Sequence, residues 1–156
     1  MKTIIQNGIV VTMDQQMQVW DHGYVIIDGT KIVETGPESE LELKKAALAR
    51  VGENWQEKDA RRGIIMPGMV NIHSHLGMIP FRGLGDDCKD RLRVFLLPME
   101  SQAMDAELAA ASARYGICEL LLSGVTTVLD MYYFEEKVAH IMDQMGIRGI
   151  AGETVM

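Results

Sequence analysis

Two histidines separated by one residue, His73-Ser74-His75, are the side chains in this sequence best suited to chemistry. In an extended strand, residues i and i+2 point to the same face. Both imidazoles are then aimed at one point, and neutral imidazole binds Zn, Fe, Ni or Cu. A catalytic zinc takes three protein ligands and a water. The pair can therefore supply only part of a metal site, and the other ligands must come from elsewhere. His-x-His alone is a weak signal, and a chance pair is the plain alternative.

The neighbourhood strengthens the metal reading. Residues 63–72 form a long apolar run, as expected of a buried strand in a parallel sheet covered by helices. Residues 76–88 carry three glycines, a proline and two aspartates and read as a loop. Histidines at the C-terminal tip of a buried strand, opening into a long loop, fit the active-site end of a (β/α)8 barrel. The remaining histidines, His22 and His140, fall in a β-rich stretch and inside a helical pattern, and read as surface or packing residues. Cys88 and Cys118 make no disulfide framework, which points to a reducing cytoplasm. The 12 methionines read as core filling.

Composition sets the frame for that site. The chain has 156 residues, 47% of them hydrophobic, with mean hydropathy near zero, and is globular in character. A net charge of −7 argues against a nucleic-acid surface, which needs clustered Lys and Arg. No apolar run approaches the roughly 20 residues of a membrane span, so no membrane partner is expected.

The elements that must position the histidines follow from periodicity. Residues 4–13, 23–28 and 31–34 read as strands, the last two joined by the two-residue turn Gly29-Thr30. Residues 38–50 read as a short amphipathic helix. Residues 1–62 thus form a β-rich module, and residues 63–156 begin a different pattern. After the histidine strand and its loop, 105–123 reads as a helix, 124–130 as a buried strand, 135–144 as a helix and 147–151 as a strand. That is two βα units and the start of a third, with parallel strands and right-handed crossovers. A closed barrel takes about 250 residues. The fold class expected is therefore α/β: the N-terminal part of a metal-dependent (β/α)8 barrel, preceded by half of a small β-sandwich. Three parallel strands leave open edges, which the rest of a parent chain or another copy must cover. A homo-oligomer is expected for the complete protein.

The segment Pro67-Gly68-Met69-Val70-Asn71-Ile72-His73-Ser74-His75 resembles the first barrel strand of the amidohydrolase superfamily. Phe81-Arg82-Gly83, Leu97-Pro98-Met99-Glu100, Gly124-Val125-Thr126-Thr127 and Asp130-Met131-Tyr132 resemble its cytosine-deaminase-like branch. That branch holds triazine chlorohydrolases and the adenosine-type and guanine deaminases. The resemblance implies that His73 and His75 are the first two ligands of one divalent metal ion, zinc in most members and iron in some. It places the remaining ligands and the catalytic acid and base on later strands, beyond residue 156. It implies hydrolysis of a small heterocycle such as a purine, pyrimidine or triazine, with metal-activated water replacing an amino group or halide.

Three substrate-binding candidates come with it. Glu100 matches a position that contacts ribose hydroxyls in nucleoside deaminases, with an exposed helix-opening acid as the alternative. Arg82 is a substrate clamp or a loop-fixing salt bridge. Glu153 stands where adenosylhomocysteine-type deaminases carry an Arg for a substrate carboxylate, and its reversed charge argues against that substrate. The indole expected upstream of Glu100 is replaced by Lys89-Asp90-Arg91-Leu92-Arg93. Asp130 could orient the site or serve a hydrogen-bonding structural role; Asp86 and Asp87 read as turn residues. Two other readings stay open. One is a cyclic-amide hydrolase of the dihydroorotase or hydantoinase kind, which usually shows Asp rather than Asn at position 71. The other is a non-catalytic structural fragment.

Overall fold

Antiparallel pairing dominates the first part of the chain. The computed structural model describes residues 1–155 and divides into two units at Pro67 and Gly68. In the first unit, β1 (Lys2–Val11), β2 (Val19–Asp28) and β3 (Lys31–Pro37) form a meander. The β2–β3 hairpin closes at Asp28 opposite Lys31, with Gly29 at φ +59°, where a residue lacking Cβ is unstrained. α1 (Leu41–Arg50) follows a single 3-10 turn at Glu38–Glu40. β4 (Trp55–Asp59) and β5 (Ile64–Ile65) then add to the free edge of β1 in parallel. Ile4, Tyr24, Ile26 and Leu41 form the buried core of this unit. The Tyr24 hydroxyl donates to Glu34 Oε1 at 3.0 Å, so its polar end is satisfied within that core.

The second unit is a three-stranded parallel sheet in the order β6 (Met69–Ser74), β7 (Val125–Tyr132), β8 (Arg148–Glu153). α3 (Ala106–Leu122) connects β6 to β7, and α4 (Glu135–Met145) connects β7 to β8. Sequence chemistry sets the helix ends. Asp105 caps α3 by accepting from the Leu108 N–H at 2.8 Å. Gly146 ends α4 at φ +73°. One face of the sheet packs on both helices through Ala113, Ile117, Val128, Val138, Ile141, Met142 and Ile147. The register puts Val70 opposite Thr127, and Leu129 opposite Ile150, on the other face. That face stands in solvent, with Val70 60%, Met131 46% and Ile150 62% exposed.

Several expectations are corrected here. Residues 63–72 are not one buried strand. Ile64 and Ile65 pair with β1 of the first unit, Pro67-Gly68 interrupts the run, and β6 begins at Met69. The boundary therefore falls after Pro67 rather than after residue 62. The apolar residues of β6 are exposed, because this chain supplies helices to one face of the sheet only. The stretch between β6 and α3 is also more ordered than its glycines suggest. A 3-10 segment at Leu76–Phe81 is followed by a wide π-type turn at Leu92–Leu96 and by α2 (Leu97–Ala103), with Pro98 near its N-terminus. Cys118 is exposed on α3, and both cysteines are free thiols.

Candidate metal centre

Parallel pairing brings the C-terminal tips of β6, β7 and β8 to one side, with Ser74 opposite Asp130 and Tyr132 opposite Glu153. The β6–β7 register shifts between Asn71 and Ser74, and the Asn71 Oδ1 accepts from the His73 N–H at 3.0 Å. An extra residue in one strand bends it and re-aims its side chains. The His73 and His75 rings stand edge to face with centroids 5.0 Å apart. His75 Nδ1 lies 2.6 Å from the Met131 carbonyl oxygen. A carbonyl only accepts, so Nδ1 carries the proton, and the Nε2 lone pair of the neutral ring is free for a metal. This is the orientation that a histidine ligand needs. Among the described residues no third His, Cys, Asp or Glu joins the pair. The donor set fits part of a divalent-metal site. An open cleft of about 370 Å³ adjoins it, lined by His73, His75, Phe81, Arg82, Asp86 and Arg91 among others.

The three substrate candidates have different surroundings. Glu100, in α2, is 4% exposed, not the exposed helix-opening acid of the alternative reading. Burial first, and the Glu100 carboxylate second, push the Tyr132 phenol above its ordinary range, so it stays protonated. Tyr132 also lies beside the metal pair, its ring centroid 6.4 Å from that of His75. Its buried hydroxyl has no hydrogen-bond partner among the described residues, and a Cβ on Gly77 would overlap its ring.

Arg82 is committed elsewhere. Its Nη1 and Nη2 donate to the two Glu119 carboxylate oxygens of α3 at 3.1 and 2.8 Å. That bidentate pair is the loop-fixing alternative.

Glu153 is committed too. Its Oε1 accepts from Phe134 N–H at 3.0 Å and its Oε2 from Glu135 N–H at 2.6 Å. Phe134 sits at φ +59°, a left-handed conformation costly for a bulky residue. The Glu153 carboxylate secures that turn and the positive end of α4. Both oxygens are thus engaged in holding the start of α4. Glu153→Ala in the complete protein is expected to cost about 1 kcal/mol of stability, as a lost helix cap does. Thermal unfolding checks the stability loss; a large KM change at unchanged stability would instead mark a substrate contact.

Sequence reasoning missed Glu135. As the first residue of α4 it reads as an acid suited to a helix N-terminus. Yet it is 2% exposed, and both its oxygens lack a hydrogen-bond partner among the described residues. Burial first, then the nearby Asp130 and Glu153 carboxylates, push it up to about 8. A carboxyl that holds its proton more tightly when folded stabilises most at low pH. Its contribution is expected to fall as pH rises from about 4.5 towards 8. Glu135→Gln, which cannot titrate, should flatten that part of the stability profile measured by denaturant titration.

Comparison with known proteins gives the family. Residues 64–156 match the model of the amidohydrolase family. A 5-methylthioadenosine/S-adenosylhomocysteine deaminase of Syntrophus aciditrophicus is 33% identical over 98% of this chain and 33% of its own length. The chain thus spans about a third of the curated relatives it matches. Among solved structures, a triazine hydrolase of Arthrobacter aurescens superposes with a TM-score of 0.80 at 23% identity, covering 99% of this chain and 36% of that one. An adenosine deaminase from Xanthomonas campestris with bound zinc gives 0.74 at 26% identity, over 95% and 33%. The chain belongs to the amidohydrolase family.

Proposed function

We propose that the complete protein is a metal-dependent hydrolase that deaminates an aminated heterocycle, with an adenosine-type nucleoside as its substrate class. The observation that carries the reading is the His73–His75 pair, one ring bonded through Nδ1 to the Met131 carbonyl so that its Nε2 is left free. The residues of the pair would hold one divalent ion, zinc in the first instance, in keeping with the zinc-bound Xanthomonas relative. When bound, the ion would activate a water for attack on the ring carbon that bears the amino group. His75 serves by its fixed ring orientation and His73 by its position beside it. Of the substrate candidates, Glu100 keeps that role in this reading: it is buried, its charge acts on Tyr132, whose ring lies near that of His75, and a carboxylate accepts two hydroxyl hydrogen bonds. Arg82 and Glu153 support the loop and α4 instead.

The nucleoside is favoured over a triazine because the deaminase relative is the more similar in sequence. The test is product release by the zinc-loaded complete protein. Ammonia from adenosine or 5-methylthioadenosine is the expected product. Chloride from a chlorotriazine with no ammonia from either nucleoside would replace deamination by dechlorination, and ring-opened product from a cyclic amide would replace both.

A further inference from the structure

We propose that Asp130, itself held by Glu135, is the positioning residue of the metal centre. The inference rests on the reading of His73 and His75 as ligands and adds what fixes them. Asp130 lies near the C-terminal end of β7, is fully buried, and accepts the Leu76 N–H through Oδ1 at 2.8 Å. The next residue on the same strand, Met131, takes the His75 Nδ1–H through its carbonyl at 2.6 Å. Residues 75 and 76 are thus pinned to residues 130 and 131 by two bonds, one from the ring and one from the backbone. The ring bond alone would let His75 swing with the loop that starts at Leu76. The backbone bond removes that freedom.

The other side of Asp130 explains why its carboxylate stays in place. Its Oδ2 and both Glu135 oxygens are buried with no hydrogen-bond partner among the described residues. Glu135 lies within hydrogen-bonding reach of Asp130. Two acceptors cannot bond to one another, but a single proton carried by Glu135 makes it a donor to Oδ2. Glu135 keeps that proton up to a pH of about 8. Asp130 Oδ1 is left to accept from Leu76, and bonds to a carboxylate are the stronger kind. Glu153 completes the support by taking the backbone N–H of Glu135. The line of contacts runs from α4 through Glu135 and Asp130 to the residue after the metal ligand.

The probe is cobalt(II) added to the metal-free complete protein. Affinity is read by competition with a chromophoric chelator, and geometry by the visible absorption of the bound ion. Asp130→Leu, which cannot accept from Leu76, is expected to bind cobalt at least about tenfold more weakly and to shift the visible bands. Asp130→Asn keeps a carbonyl acceptor and should stay within about threefold of the wild type. Wild-type affinity and spectrum in a folded Asp130→Leu protein would overturn the inference. So would equal losses in both variants that track a fall in thermal midpoint, since that marks a purely structural role. If Asp130→Leu does not fold, Glu135→Ala decides: at least about threefold weaker cobalt binding supports the inference, and unchanged binding overturns it. A wild-type protein that takes up no cobalt removes the ligand reading, and this inference with it. Cobalt binding that His75→Ala abolishes and Asp130→Leu leaves intact removes this inference alone.

Discussion

Replacing His73 by alanine in the complete protein is expected to abolish stoichiometric metal and turnover together. The substitution leaves His75 without the ring whose centroid lies 5.0 Å from its own. A single imidazole holds a hydrated ion weakly, because zinc sites are built from several protein ligands. Turnover should fall at least about a thousandfold, equivalent to about 4 kcal/mol of barrier. His73 is exposed at the strand tip and packs in neither of the cores described above, so the fold should survive. Elemental analysis and a rate assay on the same sample check this. Full metal content in the mutant would remove His73 from the ligand set.

Ile150→Asp should have the largest effect on stability. Ile150 lies at the middle of β8, opposite Leu129, on the sheet face that the two helices leave open, and is 62% exposed. If the complete protein closes a (β/α)8 barrel as its family does, that face becomes packed interior. An unpaired carboxylate there costs about 3–5 kcal/mol, and the thermal midpoint of the complete protein should drop by about 10 °C. In the 156-residue chain by itself the side chain stands in solvent, and the same substitution should change solubility and midpoint little. Similar small effects in both would argue that this face is never covered.

Much of this architecture is readable in the residues. The Gly29-Thr30 turn, the Asp105 cap with its Ala- and Leu-rich helix, and the β-branched run at Val125–Tyr132 are local signals, and each element forms where its signal lies. Adjacent parallel strands then follow from short helical crossovers. The errors came where a local signal was ambiguous. An apolar run such as residues 63–72 cannot say which of two sheets each residue joins. Ile64 and Ile65 pair with β1, and only the ladder shows it. Glycines between β6 and α3 read as loop, although Leu97–Ala103 is helical, because one short helix carries too little periodicity to stand out.

The site was legible to the same extent. The spacing of His73 and His75 carries its own chemistry. The free Nε2 of His75 could not be read, since it depends on the Met131 carbonyl 56 residues away. Arg82 and Glu153 have the charges of substrate ligands, but their partners, Glu119 and the amides of Phe134 and Glu135, are brought to them only by folding. Glu135 is the converse case. Its type and place say helix start, and only burial against Asp130 makes it unusual.

The most direct measurement is anomalous X-ray scattering at the zinc edge from crystals of the zinc-loaded complete protein. The account predicts one strong peak bonded to His73 and to Nε2 of His75, with His75 Nδ1 still on the Met131 carbonyl. A peak coordinated by other residues, with His73 and His75 unliganded, would contradict it.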